Sequence, residues 1–473
     1  MKRILVLGAG MVAGAHVQYL LEQPGFHVTV ATRTVEKAEK IVGDHPRGQT
    51  RALDLTDDRA LEAAIAEHDL SVSLLPFAYH PIVAQHCVGH GRHMVTTSYV
   101  KDEMAALDGA ARRAGVILLN EIGVDPGIDH MTAMRVINEV KRRGGRVVSF
   151  TSWCGGLPAP EVNDNPFGYK FSWSPRGVLL AGKNPALYMH GGRKVLVAGE
   201  ELFQHRWDVP VDIEGTTIML EGYPNRNSLP YMATYGIGGA AHMFRGTLRN
   251  RGWCRIMSKV LELGYLGEEE RNDLTDKTYA DFTAELVGAA TNFARGPSTS
   301  DTGASTTGAD KTADAIGTGS AADVRALVGQ KLNLDADSSE LLAMEWLGLF
   351  DNDPLPISQG APVDVLTARM LERMSYQSQE RDMLVLKHEF VAEYGDFKEK
   401  ITSTMIDFGV PGGFSSMNRT VGLPAAIGAR MILEGRVHAT GVQVPVVPEI
   451  YEPVLAELER LGIHFHEIWE RLE

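Results

Sequence analysis

Three features of the first 120 residues predict an α/β fold built on a doubly wound parallel sheet. Residues 3–7 form a short apolar run, as a strand buried on both faces requires. That run leads straight into Gly8-Ala9-Gly10 and an amphipathic stretch over 12–21, so strand, turn and helix follow in succession. The alternation then repeats to residue 120, and strands alternating with helices build parallel sheets.

Taken in order, further strands fall at 26–31, 51–55, 70–75, 93–97 and 116–120, with helices at 35–42, 59–67, 81–88 and 103–114. Thr56-Asp57-Asp58 can cap the helix that follows it, and Pro76 stops the fourth strand. Residues 147–153 open a second domain as a strand. A rigid loop over 154–160 and a polar, aromatic loop over 163–177 come next, the latter in the style of a binding loop. Helices over 338–350 and 363–374, a β-hairpin over 383–408, and helices over 421–433 and 453–461 complete the chain. Residues 296–322 are dominated by Gly, Ser, Thr, Ala and Asp, and read as a flexible insert.

The 473 residues carry 46 Lys and Arg against 60 Asp and Glu, a formal charge of −14. That length predicts two or three domains, and the globular composition excludes a disordered or fibrous chain. A negative surface without a basic run argues against nucleic acid or an anionic membrane as partner. An anionic small molecule stays open, because charge is screened beyond about 8 Å and a local arginine cluster overrides the global sign. Cys87, Cys154 and Cys254 form no CxxC pair, which argues against a disulfide framework and a structural zinc. His80, His86, His90 and His93 lack metal-ligand company and read as solvated surface, so no metal is expected. No leader is visible at Met1-Lys2-Arg3, and no apolar run reaches the ~18–20 residues of a membrane helix. A soluble, cytoplasmic protein is the expectation.

Gly8, Gly10 and Ala13 give G-x-G-x-x-A between a strand and a helix, the setting of a dinucleotide loop. Gly8 permits the turn, Gly10 keeps a Cβ away from the pyrophosphate, and the helix start offers N–H groups to the anion. NAD-specific sheets place an acid after the second strand. Here Thr32-Arg33-Thr34 stands there, and Arg33 suits a 2′-phosphate, so NADP(H) is the expected cofactor. Asp54-Leu55, Leu75-Pro76, residues 96–100 and residues 120–130 all fall at strand carboxyl ends, the ligand edge of such a sheet. Asp125-Pro126 also suits a helix start, with Asp as the cap.

The segments TTSYV (96–100), NEIGVDPGIDH (120–130), CGGLPAPEVNDNPFGYKFSWSPRGVLLA (154–181), YPNRN (223–227) and RGTLR (245–249) closely resemble the glutamate-forming saccharopine dehydrogenases, or saccharopine reductases. The resemblance resumes at 345–350, 380–386 and 415–435 and covers most of the chain. It implies a Rossmann domain over 1–122, a mixed-sheet substrate and dimerisation domain over 123–410 with a helical part over about 255–380, and a segment over 411–473 returning to the Rossmann domain. It also implies a homodimer. The implied chemistry is condensation of L-glutamate with 2-aminoadipate 6-semialdehyde and reduction of the imine by NADPH to saccharopine.

By the same resemblance, cofactor contacts fall on Gly8, Gly10, Met11, Val12, Arg33, Thr34, Asp54, Leu55, Leu75, Thr97 and Trp173. Substrate contacts fall on Ser98, Tyr99, Asp125, Arg226, Thr247, Leu248 and Arg249. Saccharopine carries three carboxylates, and Arg226 and Arg249 suit forked binding of them. Asp125, Tyr99 and Cys154 are the candidate acid–base groups, with His130 and Lys101 behind them. Two other readings are an imine reductase of polyamine synthesis, which would need acids for a diamine, and an NADPH-binding sensor without turnover.

Overall fold

The structure, a computed structural model, describes residues 1–289 and 321–472. Six parallel strands come first: β1 (Lys2–Leu7), β2 (Phe26–Thr32), β3 (Gly48–Ala52), β4 (Leu70–Ser73), β5 (His93–Thr96) and β6 (Ile117–Leu119). β1 pairs with both β2 and β4, so strand order reverses there and a crevice opens at the carboxyl edge. Ile4 to Leu7 are fully buried, which explains their unbroken apolar run. β3 is the outer strand and half-exposed, hence its polar sequence.

The second sheet begins with β7 (Arg146–Pro158), then β8 (Ala186–His190), β9 (Arg193–Val197), β10 (Trp207–Ile213), β11 (Thr216–Pro224) and β12 (His242–Asn250). The hairpin β13 (Asp382–Tyr394) and β14 (Phe397–Phe408) closes over a two-residue turn. Five helices from Trp253–Leu263 to Pro362–Arg373 form the helical part among the described residues. The proposed insert lies outside the described residues up to 320. Ala321 and Ala322, its last two members, already belong to the helix Ala321–Leu332.

The last segment serves both sheets. β15 (Gly441–Gln443) adds to β6, giving the order β15-β6-β5-β4-β1-β2-β3. β16 (His466–Leu472) goes elsewhere, pairing with β14 at the edge of the order β10-β11-β12-β7-β13-β14-β16. The helix Ser416–Leu433 packs on the glycine-loop helix Gly14–Glu22. A Cβ on Gly422 would meet Val12 O at 2.9 Å, so only glycine allows this approach. Asn418 reaches across 400 residues of sequence: its Oδ1 accepts from Ala15 N–H at 2.8 Å and its Nδ2 donates to Met11 O. The helix after the glycine loop is thus capped from the far end of the chain.

The helix Ile128–Arg142 fills the space between the sheets, packed on β7 and β13. Its start corrects the expected cap. Gly127, at φ 148°, stands at the N-cap, while Asp125 lies upstream behind a cis peptide to Pro126. The reason is a tight turn in which Gly123 and Gly127 stack backbone on backbone, leaving the Asp125 carboxylate free for another task.

Candidate active site

The glycine loop fits a dinucleotide. Gly8 turns at φ 105° against Leu74 O, where a Cβ would stand 3.0 Å away, whereas a Cβ on Gly10 would meet nothing within 4 Å. Among the described residues the N–H groups of Gly10, Met11 and Val12 find no backbone acceptor, and Ala13 N–H is the next to close, onto Gly10 O. Arg33 and Thr34 are exposed just past β2, and Arg33 makes no ion pair among the described residues. Asp54 beside it is held below its usual range, chiefly by Thr56 N–H and hydroxyl. Leu55, Leu75 and Thr97 line the same edge, half-buried. A cavity of about 330 Å³ separates Met11 from Phe171 and Ser172 of the second domain, next to half-buried Trp173.

The facing wall is set by strand register. On β12, Arg245 pairs with Ser152 and Thr247 with Cys154; on β13, His388 pairs with Ser152. Alternation therefore puts Arg245, Thr247 and Arg249 on one face with Cys154 and His388. Leu248 points the other way into the core, and only its carbonyl, which accepts from Arg249 Nη1 at 2.8 Å, reaches this side.

Asp125 Oδ1 accepts from the Tyr99 hydroxyl at 2.8 Å and from Arg245 Nη2 at 2.6 Å. Oδ2 has no partner among the described residues, and the side chain is 13% exposed. Arg245 Nη2 also lies 2.6 Å from Asp129 Oδ2 and over the Tyr231 ring. Behind it, His130 Nδ1 meets Tyr235 Oη at 2.6 Å and Nε2 meets Glu121 Oε2 at 2.8 Å. Burial pushes the Glu121 carboxyl up, but bonds from His130 and Val100 N–H outweigh it and hold the group below its usual range. Through Val100 N–H, Glu121 also braces the loop that carries Tyr99.

Burial, reinforced by Asp125 and Asp129, pushes the Cys154 thiol well up, and burial does the same to Tyr99 despite Arg245. Both stay protonated near neutrality. Among the three candidate acid–base groups, Asp125 is the one with a free basic atom. His388 is pushed down to about 3, by burial and then by Arg245.

The two arginines expected to act alike do not. Arg226 is exposed, 5.1 Å over the Tyr99 ring. Arg249 is 4% exposed, packed on the Tyr169 and Trp253 rings, with Nε unbonded and no acidic partner among the described residues. Lys101 stands aside, its ammonium over the exposed Phe77 ring. Sequence reasoning left Arg245, Asp129, Glu121, Tyr231 and Tyr235 out of the site. The 245–247–249 alternation was the signal for the first; the tyrosines had none.

The histidines expected on the surface divide. His86 and His90 bond Asp58 and Glu62 near solvent, and half-buried His93 accepts from Ile117 N–H. His80 is 4% exposed and bonds Ser73 and Ser98. Its helix starts one residue before the apolar stretch and turns the ring beneath the carboxyl edge.

Comparison with known proteins identifies the family. Residues 4–119 match the saccharopine dehydrogenase NADP binding domain, and residues 123–463 match the saccharopine dehydrogenase C-terminal domain. Saccharopine dehydrogenase (NADP+, L-glutamate-forming) of Schizosaccharomyces pombe is 38% identical over 475 residues, 99% of each chain. Apo saccharopine dehydrogenase (L-Glu forming) from Saccharomyces cerevisiae superposes with a TM-score of 0.83 at 35% identity, covering 99% of this chain and 100% of that one. Homospermidine synthase from Legionella pneumophila, solved with NAD, covers 99% of this chain and 91% of its own at a TM-score of 0.53 and 10% identity, a likeness of fold alone. With both family models and full-length relatives in agreement, the chain belongs to the NADP-dependent, glutamate-forming saccharopine dehydrogenase family.

Proposed function

We propose that this chain reduces the imine of L-glutamate and L-2-aminoadipate 6-semialdehyde to saccharopine with NADPH, and runs the reverse oxidation. The observation that carries the reading is Arg249, a buried guanidinium that makes no ion pair among the described residues, Glu221 opposite it on β11 accepting from Cys254 N–H. An unpaired buried cation is costly unless a ligand anion completes it. Along β12 the span from 245 to 249 is about 13 Å, room for an extended amino-acid ligand. Arg226, at the mouth over Tyr99, suits a second carboxylate, and Thr247 lies between.

NADPH, held by the glycine loop and Arg33, supplies the hydride when bound. Asp125 Oδ2 takes the proton that the glutamate amine must lose before it attacks the aldehyde. Tyr99 and Arg245 hold that carboxylate in place through Oδ1. The same proton can return to the carbinolamine hydroxyl as water leaves, while Cys154 stays a neutral thiol that packs beside the reacting carbon.

A diamine substrate would need unpaired acids. Here Asp125 and Asp129 are both met by Arg245, so neither is an acid without a counter-charge, whereas Arg226 and Arg249 make no ion pair among the described residues. NADPH oxidation should follow glutamate plus aminoadipate semialdehyde at least a hundredfold faster than a diamine with the same aldehyde. Equal rates would sink the reading. A cytoplasmic homodimer is the proposed setting. In support, the three cysteines are free, no described helix is long and apolar enough to cross a membrane, and the sheet face away from the site exposes Trp207 and Ile468. Sedimentation at micromolar concentration tests the dimer.

A further inference from the structure

We propose that His80 is a positioning residue that fixes the Ser98 hydroxyl as a hydrogen-bond donor toward a carboxylate oxygen of the substrate. This rests on the reading above, in which Ser98 faces the amino-acid ligand. His80 Nε2 lies 2.7 Å from Ser98 Oγ and 3.3 Å from Thr96 Oγ1, while Nδ1 lies 2.8 Å from Ser73 Oγ. Proton counting decides the direction of each bond. Thr96 has one hydroxyl proton, and it goes to Ser73 O at 2.9 Å. Toward His80, Thr96 can only accept, so the imidazole proton sits on Nε2. Nδ1 is then the acceptor and takes the Ser73 hydroxyl proton.

Ser98 Oγ therefore receives Nε2–H, and its own proton has no acceptor among the described residues. Half-buried Ser98 turns that proton toward the cleft, one residue before Tyr99 and its Asp125 bond. The arrangement selects for an anionic oxygen over an ammonium at that point. Burial pushes His80 down to about 4, so the ring stays neutral and keeps one donor and one acceptor at working pH.

A double-mutant cycle separates positioning from general structural support. Ser98→Ala, His80→Leu and the pair are compared for the KM of saccharopine and the dissociation constant of NADPH. Each single variant should raise the saccharopine KM about five- to twentyfold, with NADPH binding changed less than twofold. In the Ser98→Ala background, His80→Leu should add less than twofold. His80→Gln, whose amide supplies a donor and an acceptor, should recover most of the loss and serves if the leucine variant folds poorly. Full additivity, or no effect of His80→Leu while Ser98→Ala has one, overturns the role of His80. No effect of Ser98→Ala on saccharopine instead overturns the placement of Ser98 in the substrate site. A loss confined to NADPH would assign the hydroxyl to the cofactor and also overturn the proposal.

Discussion

At one end of the β12 face, the Arg245 guanidinium lies 2.6 Å from both Asp125 and Asp129; at the other, Arg249 rests on aromatic rings and makes no ion pair among the described residues, the carboxylate of Glu221 opposite it on β11 accepting instead from Cys254 N–H. The residue type, strand and face are the same, yet one cation has carboxylate partners within the chain and the other, on the proposed reading, takes its carboxylate from a ligand. The contrast extends outward. Asn418 is completed internally, binding helix to helix through both ends of its amide, whereas Arg33 stands open past β2. Loss of the first kind should cost stability, and loss of the second should cost binding.

Arg245→Leu should break this division most severely. It leaves Asp125 and the fully buried Asp129 facing each other without a counter-charge, which costs about 3–5 kcal/mol of folding stability. Denaturant unfolding measures it, and Arg245→Lys should restore part. A stable Arg245→Leu protein with normal turnover would erase the distinction from Arg249.

Arg33→Ala should lower NADPH affinity by roughly ten- to hundredfold, for a lost charge-assisted contact, and NADH affinity far less. Its melting temperature should not move. Equal weakening of both cofactors would mean that Arg33 does not read the 2′-phosphate.

Acidification probes the internal joints. Burial pushes His16 down to about 4, with a hydrogen bond to Gly422 O acting weakly the other way. Between pH 6.5 and 4 the unfolded chain binds a proton that the folded chain refuses. The stabilising contribution is whole above pH 6.5 and is lost as pH falls, by up to roughly 1.4 kcal/mol per pH unit for this group. His80 and His388 act in the same direction. The Asp407 carboxyl opposes them, because burial raises it to about 6 and its contribution grows on acidification. His16→Asn should flatten the slope of stability against pH; an unchanged slope would remove His16 as a contributor.

The smallest effect belongs to Asn418→Ala, expected to cost about 1 kcal/mol as a lost helix cap. NADPH affinity should fall a few-fold, because Met11 loses the same anchor. A loss confined to saccharopine would contradict the tether between the tail and the glycine loop.

What was legible in the chain follows the same line. Gly8 to Ala13 could be read because a dinucleotide loop is contiguous and its geometry is local. The hairpin over 383–408 could be read because alternation is local as well, while the length of its turn, two residues, came from the register. Arg245 could not be ranked above Arg226, because its worth depends on the β7–β12 register and on acids from a separate helix. His80 looked like surface because its burial comes from Ser73 and Ser98, on either side of the helix in sequence. Nor does the seven-residue β16 say which of two sheet edges it will join.

The most direct test of the division between completed and open cations is steady-state kinetics of Arg249→Leu, with saccharopine and NADP+ varied in turn. The saccharopine KM should rise about ten- to hundredfold, as for a lost charge-assisted contact, with the NADP+ KM within about twofold and folding stability within about 1 kcal/mol of the parent. An unchanged saccharopine KM together with a several-kcal/mol loss of stability would place Arg249 with Arg245, as a cation serving the fold and not the ligand.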